Sequence, residues 1–195
     1  MAKKSTNISA TSKKSISVKN KIAVTKTKPD NSDDMASTFT PHSTSLLPGM
    51  KAPEFRGLNQ FGEEISSKQF LGKKLILYFY PKDNTPGCTA ESCNLQENNI
   101  LLKKEGFEIV GVSADTVKMH KKFADKYKLD FNLLADTEHA AIKAYDVWGK
   151  KKFMGVVFTG IVRTTFIINE SGTILRVINK VDTKEHAQQI IDVST

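Results

Sequence analysis

Strand-like runs alternating with helix-like runs, closed by a hairpin and a last helix, predict an α/β fold in which helices flank a central mixed β-sheet. Three observations carry this expectation. Leu75-Ile76-Leu77-Tyr78-Phe79-Tyr80 is an unbroken apolar run of strand length, as a strand buried on both faces requires. Residues 89–104 place Leu95, Asn99, Ile100 and Leu102 at near-helical spacing ahead of a stop at Gly106. Asn169-Glu170-Ser171-Gly172 separates two β-rich runs, as a hairpin turn does.

The remaining elements follow in order. Residues 53–65 read as two short strands around an Asn/Gly turn, an N-terminal hairpin extension of the sheet. After the 75–80 strand and the 89–104 helix, residues 107–113 form a second apolar strand. Residues 116–127 read as a helix with a Thr start, 131–134 as a short strand and 138–145 as a third helix. The hairpin spans 162–168 and 173–177, and 183–193 is a final helix. No internal repeat is visible.

A length of 195 residues suits one domain with spare chain. The spare part is residues 1–45, rich in Ser, Thr, Lys, Asn and Ala, which read as a disordered basic tail. That tail carries a net charge of +5 of the chain's +8, so residues 46–195, the expected domain, are nearly balanced. A basic domain face for nucleic acid is therefore not expected; any such contact would be the tail's. The tail contains no Arg, which argues against a mitochondrial presequence, and no apolar core of a secretory signal. No window approaches the roughly 18 apolar residues of a membrane span.

Chemistry is concentrated at the only two cysteines, Cys88 and Cys93. Two are too few for a disulfide scaffold, so they read as reactive thiols in a reducing compartment, with the cytoplasm as the expected location and nuclear or organellar addressing left to the tail. Pro86-Gly87 makes a tight turn ahead of Cys88, and helix-like sequence follows. The start of a helix offers partial positive charge and unpaired N–H groups, which favour thiolate, the nucleophilic form. If residues 88–93 are helical, five residues span roughly 7.5 Å of axis and turn the side chains about 140° apart, a Cα–Cα distance of about 8–9 Å. A disulfide tolerates no more than roughly 7 Å. A helical segment therefore cannot hold a Cys88–Cys93 bond, and oxidation is expected to unwind at least the first helical turn.

The segment Pro81-x-x-x-Thr85-x-x-Cys88 resembles the active-site motif of peroxiredoxins. A second cysteine five residues on, with Phe79-Tyr80-Pro81 and Thr85-Pro86-Gly87-Cys88-Thr89, is similar to the Q-type, bacterioferritin-comigratory branch. The resemblance continues through Val110-Gly111-Val112-Ser113-Ala114-Asp115, Leu133-Leu134-Ala135-Asp136, Val147-Trp148-Gly149 with Met154-Gly155, and Arg163-Thr164-Thr165-Phe166-Ile167-Ile168, covering roughly residues 46–193. It implies a thioredoxin-like fold and an atypical two-cysteine thiol peroxidase acting on hydrogen peroxide and organic hydroperoxides. Cys88 would be the peroxidatic and Cys93 the resolving cysteine, joined as an intramolecular disulfide that thioredoxin or a similar dithiol recycles. Thr85 would hold the peroxide, Pro81 shield the thiolate and Arg163 complete the site. A Thr hydroxyl can accept from peroxide and donate to thiolate, and an always-charged Arg stabilises both thiolate and displaced oxygen. The resemblance also implies a monomer, without metal, haem or flavin.

Other residues attract weaker expectations. The four histidines are scattered, none at a metal-binding spacing with the cysteines, and read as surface residues. Glu91 falls in the expected first helical turn, where it suits the helix dipole and could handle a proton. Lys150-Lys151-Lys152 reads as a solvated loop, and Trp148, Phe153 and Met154 as packing or a collar near the site. Two other functions compete. A disulfide oxidoreductase would carry Cys-x-x-Cys, which the five-residue separation opposes. A redox-sensing or nucleic-acid-associated binding protein would not consume peroxide.

Overall fold

The computed structural model describes residues 39–194. Nine strands and five helices follow the chain as β1 (Arg56–Leu58), β2 (Glu64–Ser66), β3 (Lys74–Phe79), α1 (Pro86–Glu97), α2 (Asn99–Lys104), β4 (Phe107–Ser113), α3 (Val117–Tyr127), β5 (Asn132–Ala135), α4 (Ala140–Ala144), β6 (Trp148–Phe153), β7 (Val156–Ile161), β8 (Thr164–Ile168), β9 (Ile174–Ile178) and α5 (His186–Ser194). A short 3-10 turn, Ser67–Phe70, links β2 to β3. Seven strands form one sheet in the order β2-β1-β5-β4-β3-β8-β9. The centre, β5-β4-β3, is parallel, and β1, β2, β8 and β9 add antiparallel edges. This is the mixed, helix-flanked sheet the sequence predicts, with the 53–65 hairpin forming one edge of it.

The side-chain alternation of β3 divides the core in two. Leu75, Leu77 and Phe79 face one side and pack with Ala141, Ile142 and Tyr145 of α4 and its end. Ile76, Tyr78 and Tyr80 face the other and pack with Cys88 and Leu95 of α1, Leu102 of α2, Phe123 of α3 and Ile190 of α5. A strand covered on both faces has no polar side, so its sequence shows no alternation. Cys88 is thereby built into a core.

The expected helix over 89–104 is two helices. Asn98 Nδ2 donates to the Asn94 carbonyl at 2.8 Å, and the backbone leaves helical geometry at Asn98. An Asn side chain competing for main-chain partners is a familiar interruption. The helix also starts earlier, at Pro86, whose fixed φ and missing N–H suit a first turn.

The expected solvated loop at 150–152 is instead part of a separate two-stranded sheet, β6 paired with β7. Met154 (φ 48°) and Gly155 (φ 82°) form its turn, both left-handed as a tight two-residue hairpin needs. Met-Gly is an unusual choice there, and β7 is exposed over most of its length, so neither turn chemistry nor alternation reveals the hairpin in the sequence.

Of the expected 1–45 tail, residues 1–38 lie outside the described residues. The last part of it joins the fold: Thr44 Oγ1 donates to Tyr145 O at 2.7 Å, Ser45 N to Asp146 Oδ2 at 2.7 Å, and His42 N to Lys150 O at 2.9 Å. Such attachment uses main-chain and polar partners, which leave no apolar periodicity to read.

Gly111 of β4 lies opposite Tyr78 of β3. A Cβ there would sit 2.7 Å from Tyr78 Cζ and 2.8 Å from Leu133 Cδ2. Both neighbours are fully buried and have nowhere to go. Gly111→Ala is expected to destabilise the fold by about 1–3 kcal/mol through overpacking. Thermal or urea unfolding measures it, and an unchanged midpoint would contradict this packing.

Candidate active site

The site is built at the end of β3. Tyr80 N still donates to Val112 O at 3.1 Å, and then the chain leaves the sheet. Asp83 is buried, Asn84 turns the backbone with φ 58°, and Thr85 is extended at the N-cap of α1. Thr85 Oγ1 donates to Lys82 O at 3.0 Å and does not cap the helix. The first-turn N–H groups are therefore left free of a side-chain cap and can serve an anion.

Cys88 occupies the third helical position, 1% exposed. Arg163, between β7 and β8, reaches it from 75 residues away in the chain: Nη2 donates to Cys88 Sγ at 3.3 Å. A Cβ on Gly87 would meet that same Nη2 at 3.3 Å, so glycine keeps the approach open. The other guanidinium nitrogen, Nη1, donates to Glu91 Oε2. One cation thus bridges thiol and carboxylate. Lys151 of β6 is a second, half-buried cation, whose Nζ donates to Ile161 O at 2.7 Å, two residues before Arg163. Burial, then repulsion from Arg163, pulls its ammonium below the usual lysine range.

Of the sequence-predicted residues, the fold brings Cys88 and Arg163 into contact and puts Thr85 and Pro81 on the loop that enters α1. Cys93 lies further along the same helix, partly exposed, and both thiols are free. Burial, then the nearby Glu97, pushes the Cys93 thiol up. Because α1 starts at Pro86, Glu91 stands in its second turn, away from the dipole end, and is 0% exposed.

Sequence reading missed two buried histidines. His186 Nδ1 faces Glu91 Oε1 at 3.3 Å, and its Nε2 lies 3.0 Å from Thr165 Oγ1. His120 is likewise 0% exposed, beside Asp83. Only a contact partner distant in sequence distinguishes such residues from surface histidines, and no local pattern carries that. Asp115 and Asp136 are structural acceptors: Asp115 Oδ2 takes Asp83 N, and Asp136 takes the first amides of α4. Met154 is at the hairpin turn and Trp148 packs on the His139 ring, centroids 4.5 Å apart. Among the described residues no group of His, Cys, Asp and Glu is placed to hold a metal, and no helix is long and apolar enough to cross a membrane.

Burial sets the charge state of the Glu91–His186 pair. It raises the Glu91 carboxyl to about 7 against the pull of Arg163, and with repulsion from Arg163 it lowers His186 to about 4. The pair is then neutral near pH 6, with Oε1 and Nδ1 facing one another at 3.3 Å without a hydrogen bond between them. The two groups affect stability oppositely. The raised Glu91 contributes stability below its ordinary 4.5 that is lost as pH rises through about 7. The lowered His186 contributes stability above its ordinary 6.5 that is lost as pH falls through about 4. Between these limits they offset one another. Glu91→Gln is expected to expose a stability that climbs with pH from about 4 to 6.5, and His186→Gln one that declines from about 4.5 to 7, each by a few kcal/mol at ~1.4 kcal/mol per unit. Melting temperatures across pH 4–8 check this; parallel slopes in the two variants would contradict it.

The chain's relatives fit this geometry. Residues 48–177 match the AhpC/TSA family. The chain is 45% identical over 147 residues to a putative peroxiredoxin bcp of Haemophilus influenzae, covering 75% of this chain and 95% of that protein. It is 39% identical over 143 residues to peroxiredoxin Bcp of Bacillus subtilis, covering 73% and 91%. Among solved structures it resembles peroxiredoxin Q of Xanthomonas campestris, with a TM-score of 0.67, 33% identity and coverage of 72% and 89%. It also resembles the bacterioferritin comigratory protein of that organism studied for alkyl peroxide reduction activity, with a TM-score of 0.68, 31% identity and coverage of 78% and 98%. A buried thiol at a helix start, an arginine on it and this kinship lead to one conclusion: the chain belongs to the AhpC/TSA family, as a peroxiredoxin of the Bcp type.

Proposed function

We propose that this peroxidase reduces hydrogen peroxide and organic hydroperoxides at Cys88, with Cys93 as its resolving thiol and thioredoxin or a similar dithiol as its reductant. The observation that carries the reading is the Arg163 Nη2 contact to Cys88 Sγ at 3.3 Å, in the first turn of α1. A guanidinium meets the sulfur in the first turn of a helix without a side-chain cap, a setting suited to negative charge in the reaction. The alkyl peroxide reduction described for the Xanthomonas relative supports organic hydroperoxides as substrates.

In this mechanism the Cys88 thiolate attacks the terminal oxygen of the hydroperoxide. An S–O bond forms, the O–O bond breaks, and the alkoxide or hydroxide leaves to take a proton from water. Arg163 stabilises negative charge on sulfur before attack and on the departing oxygen during it. Glu91, its carboxyl raised by burial to about 7, leaves more of the guanidinium charge to the thiolate than a fully ionised carboxylate would. Thr85 Oγ1 turns from Lys82 O to the bound peroxide, and Pro81 shields the thiolate.

The resulting sulfenic acid is attacked by the Cys93 thiolate, which expels hydroxide and forms the disulfide. Both thiols belong to the continuous helix α1, so the first turn must unwind. A dithiol then attacks the disulfide and leaves oxidised, returning both cysteines to the thiol state. We infer a monomeric protein acting in the cytoplasm, whose peroxidase domain takes in residues 42–45 at the end of the expected tail.

Peroxide-dependent oxidation of a coupled thioredoxin system tests the cycle. Wild type is expected to turn over, Cys88→Ser to lose activity by at least three orders of magnitude, and Cys93→Ser to stall as a sulfenic acid or mixed disulfide. Undiminished turnover of Cys88→Ser would overturn the assignment.

A further inference from the structure

The loop that delivers Thr85 and Cys88 to the site hangs from one buried residue. Asp83 is held through three of its groups. Its N–H donates to Asp115 Oδ2 at 2.8 Å, and that carboxylate also accepts from Ser113 Oγ at 2.7 Å. Its Oδ1 accepts from Tyr80 Oη at 2.8 Å. Its Oδ2 lies 2.9 Å from His120 Nδ1, with both side chains 0% exposed. The opposite ring nitrogen, Nε2, is 3.2 Å from Leu134 O. Both ring nitrogens therefore face oxygen atoms of the protein. Tyr80, just past β3, and His120 of α3 meet at this carboxylate, while Asp115 after β4 holds the Asp83 backbone and Leu134 of β5 backs the His120 ring.

Beyond Asp83 the hold on the chain loosens at once. Asn84 is exposed with φ 58°, Thr85 bonds only locally to Lys82, and α1 begins at Pro86. The next buried side-chain anchors below Cys88 come in the second turn, where Glu91 meets Arg163 and Ser92 Oγ lies 3.0 Å from Tyr78 Oη. The stretch that must open for disulfide formation is thus bracketed by two buried polar anchors, at 83 and at 91–92.

We propose that the Asp83–His120 pair is a positioning clamp that fixes the upstream limit of this opening and sets how readily it occurs. The proposal rests on the reading of Cys88 and Cys93 given above. Clamped, the loop presents Cys88 to Arg163 for attack on peroxide. Loosened, the same loop parts from Arg163 more often, which favours the disulfide step at the expense of the peroxide step. The clamp therefore trades speed of attack against speed of resolution. It also sets the time the sulfenic acid stays exposed to a second peroxide, and with it the yield of sulfinic acid.

Asp83→Asn keeps the size and the backbone bond while weakening the hold on His120. Rapid-quench thiol labelling with mass spectrometry follows thiol, sulfenic, disulfide and sulfinic forms after mixing with hydrogen peroxide. The expected result is a peroxide step about tenfold slower, a resolving step unchanged or several-fold faster, and a smaller sulfinic fraction at high peroxide. Both steps slowed by the same factor, or neither altered, would overturn the clamp, because a merely structural role has no reason to split them. If Asp83→Asn does not fold, His120→Gln carries the same measurement with the Tyr80 and Asp115 bonds to Asp83 intact. Wild type run alongside separates the two ideas: absence of any Cys88–Cys93 bond there would defeat the reading of the cysteines, whereas a normal bond in wild type with unsplit variants would defeat the clamp alone.

Discussion

A continuous helix holds two thiols at a distance no disulfide can span, and the surrounding structure is organised around that constraint. α1 runs unbroken from Pro86 to Glu97, so Cys88 and Cys93 are fixed about 8–9 Å apart at their Cα atoms. The lower part of this helix is firmly seated. Leu95 is fully buried, Asn94 Nδ2 donates to Lys184 O at 2.6 Å, and Asn94 Oδ1 accepts from Ala187 N at 2.8 Å. The upper turn is held differently, by the one buried side chain of Cys88 and the arginine on its sulfur. Regions that must open locally are those whose hold comes from few and replaceable contacts.

Arg163 links the two ends of this arrangement. It touches the sulfur and, through Glu91, the buried His186 and Thr165 behind it. Burying an arginine beside a thiol is costly unless charge elsewhere answers it. Here the answer is graded, because burial raises the neighbouring carboxyl to about 7. The guanidinium charge is only partly claimed by Glu91, and the remainder acts on Cys88. A fully ionised partner would neutralise the arginine and leave the thiol with little more than the helix N-terminus.

The parts of this design legible in the sequence are those written in local chemistry. The apolar run of β3, the Pro86-Gly87 start of α1 and the spacing of the two cysteines each follow from rules that act over a few residues, and the peroxiredoxin motif names Arg163. The illegible parts depend on partners distant in the chain. Nothing near His120 or His186 in sequence distinguishes them from surface histidines, because their partners lie 37 residues away at Asp83 and 21 at Thr165. The β6–β7 hairpin is hidden for another reason. Its turn is Met154-Gly155 and β7 is exposed over most of its length, so it lacks both the usual turn signal and the alternation of a half-buried strand.

Hydrogen exchange of α1 before and after stoichiometric peroxide tests the central claim most directly. The account predicts that the oxidised protein carries a Cys88–Cys93 bond, loses protection across the first turn of α1, and keeps it beyond Cys93 where Leu95 anchors the helix. The same bond with protection undiminished from Pro86 onward would contradict it.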